Sequence, residues 1–318
     1  MRRKVIKQGN GTLTVTLPKP WTEKIGLKGG DEIEVTEKDY VLLISKELSG
    51  KGREISLRFT DDSKRYIRSH IGRLYRLGYS KIHISFDSPG MMKVIKKATD
   101  DLIGSDVIDF TKTKCSIRIF PTEEPVDFDK NLVKVISTLK YMMKIIREDI
   151  ESGEFKREDT LHELRNNNWK LKDYVMRNAF LKSTPYEEFS VLNTILFSYE
   201  KIGTNLLGFY RMYLEGLKGK INAKKLAPVF DKIDTYLDWF MKQVSRKKEI
   251  PALEESRFRK ELREYHIYLF NKLHKDKVID HPLLTIVYFT AELLDSTVSY
   301  LSLYKLKYGD YFSASAIS

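Results

Sequence analysis

With 318 residues, 42% of them hydrophobic and 31% charged, the chain reads as a soluble globular protein of two or three domains. A formal charge of +12 favours an anionic partner, and the single cysteine, Cys115, excludes an intrachain disulfide or a cysteine-built zinc site. No apolar leader opens the sequence, so a reducing, cytoplasmic setting is expected.

The first residues form a basic arm, Arg2, Arg3 and Lys4, that runs into an alternating stretch beginning at Val5. Leu13, Val15 and Leu17 alternate with Thr12, Thr14 and Thr16, the two-residue period of a half-buried strand. Gly9-Asn10-Gly11 interrupts the pattern as a turn. Pro20 suits a first helical turn, Trp21, Ile25 and Leu27 give that short helix an apolar side, and Lys28-Gly29-Gly30-Asp31 ends it. A second hairpin follows, with Ile33 and Val35, a turn at Lys38-Asp39, and Val41 to Ile44. Roughly 45 residues bury too little to fold alone, so this unit is expected to borrow apolar surface from a second copy. Arg2, Arg3, Lys4 and Lys7, with Lys19 at the helix entrance, would double along one face of such a dimer, and Arg3 and Lys7 share strand parity. The amides of Gln8 and Asn10 have the chemistry to read base edges.

A polar linker, 46–53, leads to a segment over 54–122 with the order β-α-β-α-β-β, which predicts a small α/β sandwich with its helices on one sheet face. Ile55 to Phe59 is the first strand, Thr60 or Asp61 caps a helix bearing Ile67, Ile71 and Leu74, and Gly78 stops it. Lys81 to Phe86 alternates again, Pro89-Gly90 opens a second helix that Gly104 ends, and Val107-Ile108 and Cys115 to Ile119 complete the strands. Neither a phosphate-binding glycine loop nor a nucleophile–base pair is present, so an enzyme is not expected. His70 and His83 read as surface positions.

From 127 to 318 strand signals vanish and apolar residues recur at helical spacing: Leu132, Ile136, Leu139, Met143 and Ile146; Leu161, Leu164, Leu171 and Val175; Val191, Ile195, Phe197, Ile202 and Leu206. Gly153 and Gly219 mark ends, while Thr184-Pro185-Tyr186-Glu187, Ile250-Pro251 and His281-Pro282 mark starts, giving six helices. Thr194-Ile195 with Thr285-Ile286, and Asp173-Tyr174 with Glu264-Tyr265, fit a repeat of about 90 residues, three helices each. Glu292 and Asp295 interrupt the apolar 281–308 segment, which argues for a bundle helix over a membrane span.

Two resemblances attach to these residues. Lys7-Gln8-Gly9-Asn10, Val15-Thr16-Leu17-Pro18, Leu27 to Ile33 and Val41 to Ile44 resemble the AbrB/MazE/SpoVT swapped-hairpin DNA-binding domains over 1–48. That likeness implies a homodimeric interleaved β-barrel bound to double-stranded DNA. Lys7 and Asn10 then fall on the contacting strand and loop, and Thr16 falls where some members carry Arg. Tyr199-Glu200-Lys201-Ile202-Gly203 resembles the signature helix of the PhoU phosphate-uptake regulators. The whole order resembles archaeal regulators of that kind. It implies a multidomain α+β chain with tandem three-helix bundles over 127–318 and a role in phosphate homeostasis as a DNA-binding transcriptional regulator. A signalling adaptor docking on a phosphate transporter subunit or a kinase is the alternative, and an antitoxin fits the N-terminal likeness alone. PhoU relatives hold metal through carboxylates four apart. Here Thr204 follows Glu200 and Ala291 precedes Asp295 at that spacing, and Asn166, Asn167 and Asn168 stand where relatives carry acids. Glu200, Glu292 and Asp295 remain as candidate ligands for a divalent ion, and the expectation is that the bundle holds no cofactor. Asp231, Asp234 and Asp238 also share a face and are expected to pair with lysines or to face solvent.

Overall fold

The computed structural model describes residues 2–9, 11–38, 41–45, 52–121, 126–182, 184, 186–217, 223–246, 250–275, 295, 297–298 and 300–302. The chain divides into two compact units, Met1–Arg53 and Glu54–Ser318.

In the first unit, β1 (Ile6–Gln8) pairs with β2 (Thr12–Thr14), α1 covers Lys19–Lys24, and β3 (Glu34–Lys38) pairs with β4 (Val41–Ser45). The Gly9-Asn10-Gly11 turn closes with Gly11 N donating to the Gly9 carbonyl at 2.9 Å, and both glycines sit at positive φ, +64° and +90°, where a side chain is strained. Pro18 stands extended at the entrance of α1 with Pro20 in the first turn. Asp31 accepts from the Lys28 N–H at 2.9 Å and so shapes the turn into the second hairpin. The predicted first strand is cut short. It begins at Ile6, not Val5, and its partner ends at Thr14, leaving Val15 and Leu17 outside the ribbon.

In the second unit, β5 (Arg53–Phe59), β6 (Tyr79–Phe86), β7 (Ser105–Ile108) and β8 (Lys114–Ile119) form one sheet in the order β5-β6-β8-β7, with α2 (Lys64–Arg76) and α3 (Gly90–Asp100) between strands. The β6–β8 register sets Ile82 opposite Ile117 and Ile84 opposite Cys115. These four, with Phe59, Phe86 and Ile119, bury against Ile67, Ile71 and Tyr75 of α2 and Met91, Ile95 and Ala98 of α3. One core on one sheet face is the outcome of strict alternation in β6 and β8. The α2 cap is Ser63, not Thr60 or Asp61: its hydroxyl accepts from the Tyr66 N–H, and Asp61 instead accepts from the Ser63 N–H at 2.7 Å. Burial pushes the Cys115 thiol up to about 11.

Gly78 ends α2 at φ +79°, and a Cβ there would stand 2.8 Å from Leu181 Cδ2 and 3.2 Å from the Phe180 ring. Leu181 is half-exposed and can swing away, so the backbone term dominates. Gly78→Ala should cost about 1–2 kcal/mol of unfolding free energy, read as a shift in urea midpoint with unchanged slope.

The helical layer comprises α4 (Phe128–Ser152), α5 (Glu158–Leu181), α6 (Tyr186–Met212), α7 (Ala223–Ser245) and α8 (Ala252–Lys275), with helical residues again at 295, 297–298 and 300–302. A single π turn, Tyr213–Leu217, continues α6. Asp127 caps α4 by accepting from the Lys130 N–H at 3.0 Å, and Gly153 ends it in the left-handed region. The predicted α4 stripe of Leu132, Ile136, Leu139, Met143 and Ile146 is wholly buried. On α6, Ile195, Ile202 and Leu206 are buried but Phe197 is 48% exposed. It follows Ile195 by two residues, which turns it to the far side of a 3.6-residue helix, and Lys201 covers its ring at 5.0 Å. Glu254 ties the start of α8 to α7 by accepting from Arg246, Gln243 and Trp239; Arg246 holds its carboxyl below the usual range. The first-turn proline Pro185, the end signal Gly219 and the starts at His281-Pro282 and Thr285-Ile286 lie outside the described residues. No helix among the described residues is long and apolar enough to cross a membrane.

Candidate nucleic-acid interface

None of the first-unit residues whose side chains are described is buried. Leu13 is 68% exposed and Leu42 63%, and Val5, Ile6, Val15 and Val35 are each at least about half-exposed. Both hairpins are isolated two-stranded ribbons, each with unpaired edges among the described residues. Such ribbons are marginal in water, and apolar side chains displayed this way need a covering surface.

Charge is segregated on the same unit. Residues 1–20 hold five cations (Arg2, Arg3, Lys4, Lys7 and Lys19) and no carboxylate, and the acids begin at Glu23. All five cations are exposed, as are Gln8 and Thr16. Lys19 lies 3.7 Å from Glu23, an exposed pair of little energetic weight. Because β1 begins at Ile6, Arg2, Arg3 and Lys4 precede the strand, and the alternation that would put Arg3 on the side of Lys7 does not extend to it. The register places Lys7 opposite Leu13, while Gln8 opposite Thr12 and Ile6 opposite Thr14 share the other face. Lys7 and Gln8 therefore project to opposite sides of the ribbon. Asn10 lies outside the described residues.

A family model matches this region. It is described as "Antidote-toxin recognition MazE, bacterial antitoxin" and covers residues 6–51. The match takes in both hairpins and α1, so the first unit carries a MazE-type domain. Searches of curated proteins and of solved structures gave no match.

The metal candidates are differently placed. Glu200 is ion-paired with Lys172, which also lies 3.6 Å from Asp173. Asp295 accepts from Arg259 at 2.9 Å. Glu292 lies outside the described residues. Asp231 pairs with Arg147, and Asp234 and Asp238 flank Lys140 of α4. No cluster of three or more metal-ligating side chains occurs among the described residues. Around the asparagine run, Asn168 donates to the Val135 carbonyl at 3.4 Å and Asn166 faces the His162 ring at 3.1 Å. His83 bridges Ser116 and Glu54 on the outer sheet face, and His70 lies against Tyr66 with ring centres 4.1 Å apart.

Sequence reasoning missed the polar joint between the sheet and helical layers. Arg76 of α2 reaches Asp173 of α5 at 2.8 Å, and Arg177 donates to the carbonyls of Tyr75 and Tyr79 at 2.7 and 2.8 Å. Gly72 lies beside this joint, where a Cβ would make ordinary contact with the Asp173 carboxylate at 3.5 Å. The only signal in the sequence is the i, i+4 spacing of Arg68, Gly72 and Arg76.

Proposed function

We propose that the chain is a homodimeric DNA-binding transcriptional regulator, with the first unit as its DNA-binding module and the helical layer as its input module. The observation that carries this reading is the pairing, on one MazE-type domain, of uncovered apolar ribbons with a run of five cations that has no carboxylate among residues 1–20. A second copy interleaving its hairpins would cover the apolar side chains and double the basic arm along one strip. Phosphate contacts would supply most of the affinity, and the amides of Gln8 and Asn10 and the DNA's shape would supply discrimination. The likeness of 199–203 to the PhoU signature helix supports phosphate homeostasis as the regulated process, with a phosphate transporter subunit as a further partner. The Lys172–Glu200 and Arg259–Asp295 pairs support a bundle that signals without a resident metal. The absence of a nucleophile–base pair in the sequence supports a non-enzymatic role.

Gel-shift titration against genomic fragments is the test. With about five phosphates neutralised, log affinity should fall against log salt with a slope near −4 to −5. An Arg3→Ala, Lys7→Ala double variant should bind more weakly on every fragment and with a shallower slope. Unchanged binding by that variant would remove the assigned residues, and failure of any fragment to outcompete bulk DNA would remove the regulator.

The family description supports a second reading, an antitoxin that recognises a toxin through its MazE-type domain. Growth arrest on deletion of the gene, relieved by deleting a neighbouring toxin gene, would favour it.

A further inference from the structure

The second unit carries its own concentration of positive charge where α2, α3, α5 and α6 meet. Arg165 of α5 is partly buried, and its guanidinium carbon sits 4.0 Å from the centre of the Trp169 indole. Arg68 of α2 sits over the same indole at 4.6 Å. Gly203 of α6 lies beside the arginine stem, where a Cβ would make ordinary contact with Arg165 Cγ at 3.7 Å and a tight one with Leu139 Cδ2 at 3.2 Å. Lys97 of α3 and Arg211 of α6 add their charges: burial first, then Arg165, Arg211, Arg68 and Lys97, push the His162 imidazole below its ordinary range. That ring is therefore neutral at pH 7.

Carboxylates compensate this cluster only in part. Asp101 pairs with Arg68 at 3.0 Å and lies 3.9 Å from Lys97, and Glu158 accepts from Arg211 at 2.6 Å. Glu200 is taken by Lys172. Arg165 forms no ion pair within 4.0 Å among the described residues, although Glu200 and Asp101 act on its charge from further away; with Glu200 matched by Lys172, four cations against two carboxylates leave an excess of two positive charges.

Hydrogen-bond bookkeeping points the same way. Arg165 Nη2 donates to His162 Nε2 at 3.2 Å and to Asn166 Oδ1 at 3.1 Å. With Nε2 accepting, a neutral imidazole carries its proton on Nδ1, and that proton faces the Asn166 amide nitrogen at 3.1 Å, itself a donor. Flipping the Asn166 amide only moves the donor–donor conflict to Arg165. The buried Nε–H of Arg165 and Nε1–H of Trp169 also lack an acceptor. Around Arg165 and Trp169 donors outnumber acceptors, while on the Arg68 side of the cluster the buried Asp101 Oδ2 lacks a hydrogen-bond donor; stranded buried donors are costly.

We propose that this cluster binds one tetrahedral oxyanion, a phosphate or sulfate group, with Arg165 as its principal ligand and Arg68 and Arg211 alongside. An acceptor-only anion supplies the missing acceptors and offsets the surplus charge, and a guanidinium fork matches its geometry. Because Arg68 belongs to the sheet layer and Arg165 and Arg211 to the helical layer, the anion would clamp the two together. The proposal stands independently of DNA binding by the first unit.

The test is calorimetric titration of the full-length protein with inorganic phosphate, with sulfate, and with a nucleoside triphosphate, at constant ionic strength held by chloride. One saturable site per chain is expected, together with a rise in Tm that chloride does not reproduce. Arg165→Gln should weaken it at least about tenfold, the loss of one charge-assisted contact. Trp169→Phe, which keeps an aromatic ring but removes the pyrrole part of the indole together with its N–H, should weaken it by a smaller factor and covers the case in which Arg165→Gln misfolds. The Arg3→Ala, Lys7→Ala variant should retain it, separating this site from the N-terminal arm. Tighter binding of inorganic phosphate would identify a free anion as the source, and tighter binding of the triphosphate a nucleotide. No saturable binding of any of the three, or equal binding by wild type and both site variants, overturns the proposal.

Discussion

An Arg157→Met variant should unfold with about 3 kcal/mol less free energy than wild type, read from urea denaturation at pH 7. Asp149 projects from the buried side of α4 and is almost wholly enclosed, with Arg157 donating to it through Nε at 2.7 Å and again through Nη2, while Tyr210 of α6 donates its hydroxyl. Arg157 also caps the Ile145 carbonyl at 3.1 Å and reaches Glu148 at 2.8 Å. Removing the guanidinium strands a carboxylate in an apolar core. The figure is at the lower end for such a loss because the Arg157 side chain is itself 36% exposed. Adding Asp149→Asn should recover most of the deficit, since the amide carries no charge to desolvate and still accepts from Tyr210. A surface pair would give less than about 1 kcal/mol and no recovery. Burial first, then the bond to Asp149, pushes Tyr210 up to about 12 from 10.0. A raised acid is held protonated by the fold, so its contribution is full below pH 10.0 and fades as pH rises through about 12.

A Leu13→Asp variant should separate the copies of the proposed dimer and, with them, abolish tight DNA binding. The Leu13 side chain stands opposite Lys7 on β1–β2 and is among the most exposed apolar groups in the protein. If a second copy covers it, a carboxylate at that position must be desolvated with only the cross-strand Lys7 to offset its charge, at a cost of about 3 kcal/mol, roughly a hundredfold in dissociation constant. Sedimentation of the full-length variant should show monomer at concentrations where wild type is dimeric. A dimer of unchanged affinity would mean that Leu13 faces solvent in the assembly, and the interleaved-ribbon reading would have to be abandoned.

The elements were legible where one physical signal dominated. Strict alternation in 82–86 and 115–119, the Gly78 and Gly153 stops, and the apolar recurrence from Leu132 to Ile146 each specify an element through backbone and burial alone. The two hairpins were legible in the same way, although Val5, Val15, Leu17 and Ile33 lie outside the strands and Lys38, expected in the turn, pairs with Val41. Phe197 shows the limit of counting apolar residues without their angle around the helix. The joint between layers was not legible. Arg76 and Asp173 lie 97 residues apart, and Arg177 and the Tyr75 carbonyl 102. No local period records such pairs. Asp149 was hidden for a related reason: one acid in an apolar run looks like a solvent-facing position until its partner across the core is known. Of the proposed DNA-contacting residues, the sequence made the charges visible but not their sides, because the side depends on where β1 begins.

The chain of alternating charge Arg76, Asp173, Lys172 and Glu200 crosses from α2 through α5 to α6. Lys172 is held by both Asp173 and Glu200, so sliding α6 by one turn would draw Glu200 away from Lys172. The sheet and the helices it touches are thereby geared: a displacement imposed on α6 is carried to α2 as a whole step or is refused.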